Sequence, residues 1–112
     1  MEFYRYLPDW KENRSKPKDD PTRVVVEVGT LTVRDAARYK EFSGTDEDIP
    51  TAHKQFIDCV GFIDGLKDEL TGEPITTAKG LLDSGYRIIY MDCYNAVLER
   101  SHLAAGLEKN FE

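Results

Sequence analysis

The chain has 112 residues, 40% hydrophobic and 32% charged, with 21 acidic against 15 basic side chains and a formal net charge of −6. That length predicts a single domain, residues 1–112, with a core of modest size. The acidic balance argues against general nucleic-acid or anionic-membrane binding, because neutralising phosphates needs clustered Lys and Arg.

Charge is nonetheless uneven along the chain. Lys11, Arg14, Lys16, Lys18 and Arg23 make the N-terminal loop basic, and Asp46, Glu47 and Asp48 form an acidic patch. Both read most simply as solvated charge. The sequence shows no secretory pattern and no apolar run of bilayer length, so the expectation is a soluble protein inside the cell. Cys59 and Cys93 sit within helical patterns, where buried free thiols are common, although a disulfide between them stays open.

Residues 2–7 alternate, with Phe3, Arg5 and Leu7 on one side and Tyr4 and Tyr6 on the other, which predicts a strand. Pro8 ends it or confines it to an edge. Residues 9–22 hold two further prolines, many charges and almost no aliphatics, and read as a long exposed loop or a partly disordered segment. Trp10 is the exception there, either docked on the core or presented to a partner. Residues 23–30, RVVVEVGT, form the clearest strand, with Val24, Val26 and Val28 on one face and Val25 and Glu27 on the other. Paired antiparallel, the two strands make a small sheet that must lean on helices to be stable.

Thr32 is a plausible N-cap for a helix over Val33–Phe42, with Asp35 three residues on and Val33, Ala36 and Ala37 as its apolar side. Ser43, Gly44 and Thr45 break it. Residues 48–70 then read as one long amphipathic helix, because Ile49, Ala52, Phe56, Cys59/Val60, Ile63, Leu66 and Leu70 recur at spacings of three and four. Its cap is either Thr45 with Asp48, or Thr51 after Pro50. Gly61 and Gly65 inside it each cost roughly 1 kcal/mol against alanine. Either a close neighbour compensates, or the helix kinks or ends near Gly65.

Residues 71–74 form a turn, with Gly72 suited to positive φ. Thr76 or Thr77 caps a short helix, 78–82, stopped by Asp83, Ser84 and Gly85. Residues 86–99 are the second long helix, with Ile88, Tyr90/Met91, Tyr94 and Val97/Leu98 as its stripe, widened by Ile89 and Cys93. Ser101 marks a boundary and can cap a last turn, 102–107, before a charged tail, 108–112. The fold expected is therefore α+β: a two-stranded antiparallel sheet on about four helices, divided into a strand-loop-strand part (1–30) and a helical part (31–107).

Composition and spacing give this architecture but no chemistry. Asp58, Asp64 and Asp68 offer a carboxylate set, the last two on one face of the predicted helix, and read as a solvated face. His53, Cys59, Cys93 and His102 contain no close ligand pair of the kind that marks a zinc site. No phosphate-binding glycine loop, nucleophile elbow or metalloprotease helix is present. The aromatic cluster Phe3, Tyr4, Tyr6 and Trp10 is the candidate partner-binding surface, since Tyr and Trp are enriched where proteins meet. The open edge of the first strand could add to it. The alternative is that these rings only roof a small core.

Four pieces in order carry a resemblance. An aromatic strand runs into a charged, Pro-containing loop at residues 2–21. A valine strand and short helix follow at 23–42. A helix breaks into a turn at 55–75, with Leu66, Gly72, Pro74 and Ile75. The close, 81–111, carries Leu98, Ser101, Leu103, Lys109 and Asn110. This order resembles small tail-region proteins of long-tailed bacteriophages, the tail assembly chaperones and their relatives. Relatives often carry a tryptophan where this chain has Phe62 or Leu66.

The resemblance implies a protein that is no enzyme and uses no cofactor or metal. Such proteins keep the tape-measure or tail-tube protein soluble in the host bacterial cytoplasm and are left out of the virion. Some are also made in a frameshifted longer form. Alternative readings are a phage-encoded protein that inhibits or triggers a bacterial defence complex, and a minor structural component of the virion. The expected partners are other proteins rather than nucleic acid or membrane, and a homo-oligomer is left open.

Overall fold

The computed structural model describes residues 2–42 and 48–101, with backbone alone at 39–42 and 48. The predicted break at 43–45, most of the acidic patch, His102, the last turn and the tail lie outside the described residues.

The fold is α+β, with a three-stranded antiparallel sheet and four α-helices among the described residues. Strand β1 (Tyr4–Tyr6) pairs with β2 (Val25–Val28), bringing Tyr4 opposite Val28 and Tyr6 opposite Val26. The alternation of β2 sets the inner face as expected: Val24, Val26 and Val28 are fully buried. Helices α1 (Val33–Phe42), α2 (Asp48–Cys59), α3 (Ala78–Leu82) and α4 (Arg87–Arg100) complete the element set.

The predicted long helix over 48–70 is corrected. It stops at Cys59, and Val60–Asp64 forms a third strand, β3, on the far side of β2. The expected two-stranded sheet is therefore three-stranded. The cause lies in a bulge. Val60 stands opposite Val28 and Ile63 opposite Val26, so two steps on β2 face three on β3. The two buried residues of β3 thus lie three apart, a helical spacing carried by a strand. The glycines fit this geometry. A Cβ on Gly65 would meet the Arg23 carbonyl oxygen at 2.1 Å, and Gly65 has φ +82°. Gly61 leaves room for the Glu27 side chain.

The loop over 9–22 is exposed over most of its length, as expected, but one buried residue pins it to the sheet. A 3₁₀ turn spans Asn13–Ser15, and Asn13 is fully buried. Its carboxamide donates to the Pro8 and Val24 carbonyls (3.1 and 2.9 Å) and accepts from the Val24 N–H (2.7 Å). One asparagine thus stitches the loop to β2 with strand-like pairing.

The helical caps match their residues. Thr32 Oγ1 accepts from Asp35 N, and Thr77 Oγ1 from Gly80 N. Helix α1 lies at the edge of the fold. Ala36 packs on the core, but Val33 and Ala37 are exposed, contrary to the predicted apolar side. Gln55 on α2 joins three helices, donating to the Asp35 carbonyl of α1 and accepting from the Tyr94 hydroxyl of α4. The core fills the space between the sheet and α2, α3 and α4, with Phe56, Ile63, Leu81 and Ile89 as its largest apolar members. On α4 the buried stripe runs through Ile89, Cys93, Ala96 and Val97. Ile88 and Met91, placed in the core by periodicity, face outward. Ser101 accepts from Leu31 N and donates to the Val97 carbonyl at the C-terminal end of α4, the boundary expected there. No helix among the described residues is long and apolar enough to cross a membrane.

Candidate partner-binding surface

The four N-terminal aromatics do not share one surface. Tyr6 is 3% exposed, and its hydroxyl donates to Asp92 Oδ2 on α4 at 2.7 Å. The same carboxylate oxygen accepts from Asp9 N, and Arg14 donates to the Tyr6 hydroxyl at 3.0 Å. This cluster binds β1, the loop and α4 together. Burial, followed by the hydrogen bond and the charge of Asp92, pushes the Tyr6 hydroxyl far above the ordinary tyrosine range. A neutral donor facing a carboxylate is the result.

Tyr4 is half-buried under the Arg100 guanidinium, 3.6 Å from its ring centre, near the C-terminal end of α4. Phe3 is 40% exposed beside Gly61. Trp10 lies at the other end of α4. It meets Tyr86 edge to face at 5.5 Å, with the Lys11 ammonium 4.6 Å from its ring. A helix of 14 residues is about 20 Å long. Phe3 and Tyr4 therefore stand one helix length from Trp10. Trp10 is docked on the core, the first of its two readings, and stays partly exposed.

Around Trp10 the structure gathers residues that sequence reasoning assigned elsewhere. A turn over 68–73 is held by Asp68, whose carboxylate accepts from Leu70 N and Thr71 N, and by Gly72 at φ +72°. It lifts Leu70 to 96% exposure. The Tyr86 hydroxyl donates to the Lys67 carbonyl, fixing the turn against the start of α4. Leu70, Trp10, Tyr86 and Ile88 line one open groove of about 510 Å³, together with Asp68, Glu69, Gly85 and Arg87. Ile88 is 66% exposed, and Met91 follows it one turn along α4 at 54%. A second groove of about 650 Å³ lies on the other side of the Trp10–Tyr86 pair. Leu70 and Ile88 thus stand exposed beside one aromatic pair, brought there by the turn and by the start of α4.

The other candidates separate. Asp58 lies in the last turn of α2, Asp64 ends β3 and Asp68 sits in the turn, so no helix face joins Asp64 to Asp68. His53 packs against the Tyr90 ring. Cys59 and Cys93 are buried free thiols. Burial, with the charges of Asp58 and Asp35 behind it, pushes Cys59 up to about 11, and burial raises Cys93 well above the ordinary range. Among the described residues no three His, Cys, Asp or Glu side chains converge to hold a metal ion. Compared with known proteins, the chain matches no family model, no curated protein and no solved structure.

Proposed function

We propose that this chain is a non-enzymatic binding protein that acts in phage tail assembly, as a chaperone or accessory protein for the tape-measure or tail-tube protein. One observation supports a binding role above the rest: Leu70 and Ile88 are exposed and line an open groove with the Trp10–Tyr86 pair, which also walls a second groove. Apolar anchors beside a half-buried aromatic make a typical hot-spot arrangement. The order of sequence pieces, similar to tail assembly chaperones, supplies the choice of partner and the place of action in the host bacterial cytoplasm.

The test is a tagged pull-down of the chain from phage-infected cells, with mass spectrometry of the eluate and of purified virions. Tape-measure or tail-tube protein in the eluate, with the chain missing from virions, is the expected result. A host defence subunit in the eluate replaces the chaperone with an inhibitor or trigger of that complex. The chain present in virions at fixed stoichiometry makes it a structural component.

A further inference from the structure

We infer that the larger groove, between the N-terminal loop and the turn after β3, seats an acidic segment of the partner protein, an inference that rests on the binding role proposed above. Its wall is the Trp10–Tyr86 pair, and Lys11, Lys16, Lys67 and Asp64 are the charged residues that line it. Three ammonium groups against one carboxylate line it. Asp20 acts on Lys16, and Asp68 and Glu69 act on Tyr86, from outside the lining, so the positive face is the lysine side of the groove, on a chain whose net charge is −6. Among the described residues no carboxylate lies within ion-pair distance of these three lysines. Lys16 spends one donor on the Thr22 carbonyl and keeps two. Lys11 is held over Trp10 from a backbone at φ +50°, a conformation that disfavours lysine. The loop thus maintains a cation at an aromatic wall at some conformational cost, as happens at binding sites.

Charge complementarity selects an anionic occupant, and two features select a peptide over a nucleic acid. The overall negative charge opposes a polyanion longer than the groove. The Lys11 ammonium also sits over the Trp10 ring, where a base would otherwise stack. A groove of about 650 Å³ suits a few residues, with carboxylates on the lysines and an apolar side chain against Tyr86.

Trp10 is the sole tryptophan of the chain, so its fluorescence reports on both grooves that it lines, and substitutions at Lys11 and Lys67, which line only this one, tell them apart. The full chain is titrated with a blocked five-residue peptide of four glutamates around one central leucine, with its glutamine counterpart, and with a five-nucleotide oligothymidylate. The expected result is a saturable change with the glutamate peptide, suppressed by added salt. Lys11→Glu with Lys67→Glu weakens it by about threefold to tenfold, as two exposed ion pairs allow, with an unchanged melting transition. An equal response to the glutamine peptide, a stronger response to the oligonucleotide, or no response to any probe overturns the assignment. So does salt-sensitive self-association of the chain that the glutamate peptide displaces. Capture of a tail protein that survives both lysine substitutions removes the groove but leaves the binding role. Peptide binding with no tail protein captured removes the tail role but leaves the groove.

Discussion

The Asn13 carboxamide pairs with both backbone groups of Val24, accepting from the N–H at 2.7 Å and donating to the carbonyl at 2.9 Å. This side chain stands in for a neighbouring strand just before β2 begins, and so orders a loop that has few aliphatic contacts to hold it. Replacing it strands the Val24 N–H, the Val24 carbonyl and the Pro8 carbonyl in a buried site. Asn13→Ala is predicted to destabilise the fold by about 3 kcal/mol, since each buried unpaired group costs about 1–3 kcal/mol and water relieves part of it. Asn13→Asp keeps the shape, loses the donors and should cost a comparable amount. Urea denaturation checks both, and a loss below about 1 kcal/mol contradicts the pinning role.

Tyr6 and Asp92 give the fold an alkaline limit. The Tyr6 value is raised in the folded state above the unfolded value of about 10. The folded state therefore binds more protons above that pH, and stability falls as pH rises. Cys59 and Cys93, both raised by burial, act in the same direction from about pH 9 upward. Denaturation midpoints should be flat near neutrality and decline above about pH 9. Tyr6→Phe should cost about 1–2 kcal/mol at pH 7 by removing the hydrogen bond to Asp92, and should make the decline above pH 10 shallower. An unchanged alkaline slope in that variant contradicts the linkage.

The two thiols should be inert while the chain is folded. Both are buried and raised in pKa, so little thiolate exists at pH 8. Dithiobis(nitrobenzoate) is predicted to titrate both cysteines in urea and to react at least about tenfold more slowly with the native chain. A fast native reaction at one thiol would place that cysteine at the surface.

Two glycines with similar positive φ should respond differently to alanine. Gly65 has φ +82° and a carbonyl where the Cβ would sit, whereas Gly72 has φ +72° and open space. Gly72→Ala carries only the backbone penalty, about 1–2 kcal/mol. Gly65→Ala adds a clash with the Arg23 backbone and should cost more than about 3 kcal/mol or prevent folding. Thermal melts of the two variants check this order, and similar losses in both contradict it.

Much of this fold was legible in the sequence because local signals agreed with packing. The valine alternation of β2, the cap at Thr32, a threonine cap at 76 or 77, and the extents of α1, α3 and α4 to within a residue all follow from residue type and spacing. Strand β3 was hidden for a specific reason. Its bulge turns a period of two into Val60 and Ile63 at a spacing of three, which continues the stripe of α2 without a break. The conformational cost of Gly61 and Gly65 was the one warning. The buried face of α4 was misplaced by part of a turn, because Ile88 and Met91 are as apolar as the residues it buries. That misplacement concealed the candidate surface. Leu70, Tyr86 and Ile88 meet Trp10 only through tertiary folding, and no spacing in the chain links residue 10 to residues 70–88.

The central claim is that the surface around Trp10 and Tyr86 captures a partner protein. Its most direct test compares tagged wild-type chain with a Leu70→Asp, Ile88→Asp variant in pull-downs from infected cells. Both residues are largely exposed, at 96% and 66%, so the variant should melt within about 0.5 kcal/mol of wild type. The account predicts loss of at least about nine-tenths of the captured partner, as expected for two anchors of about 1 kcal/mol or more each. Undiminished capture by a variant that melts like wild type would place the binding surface elsewhere on the fold.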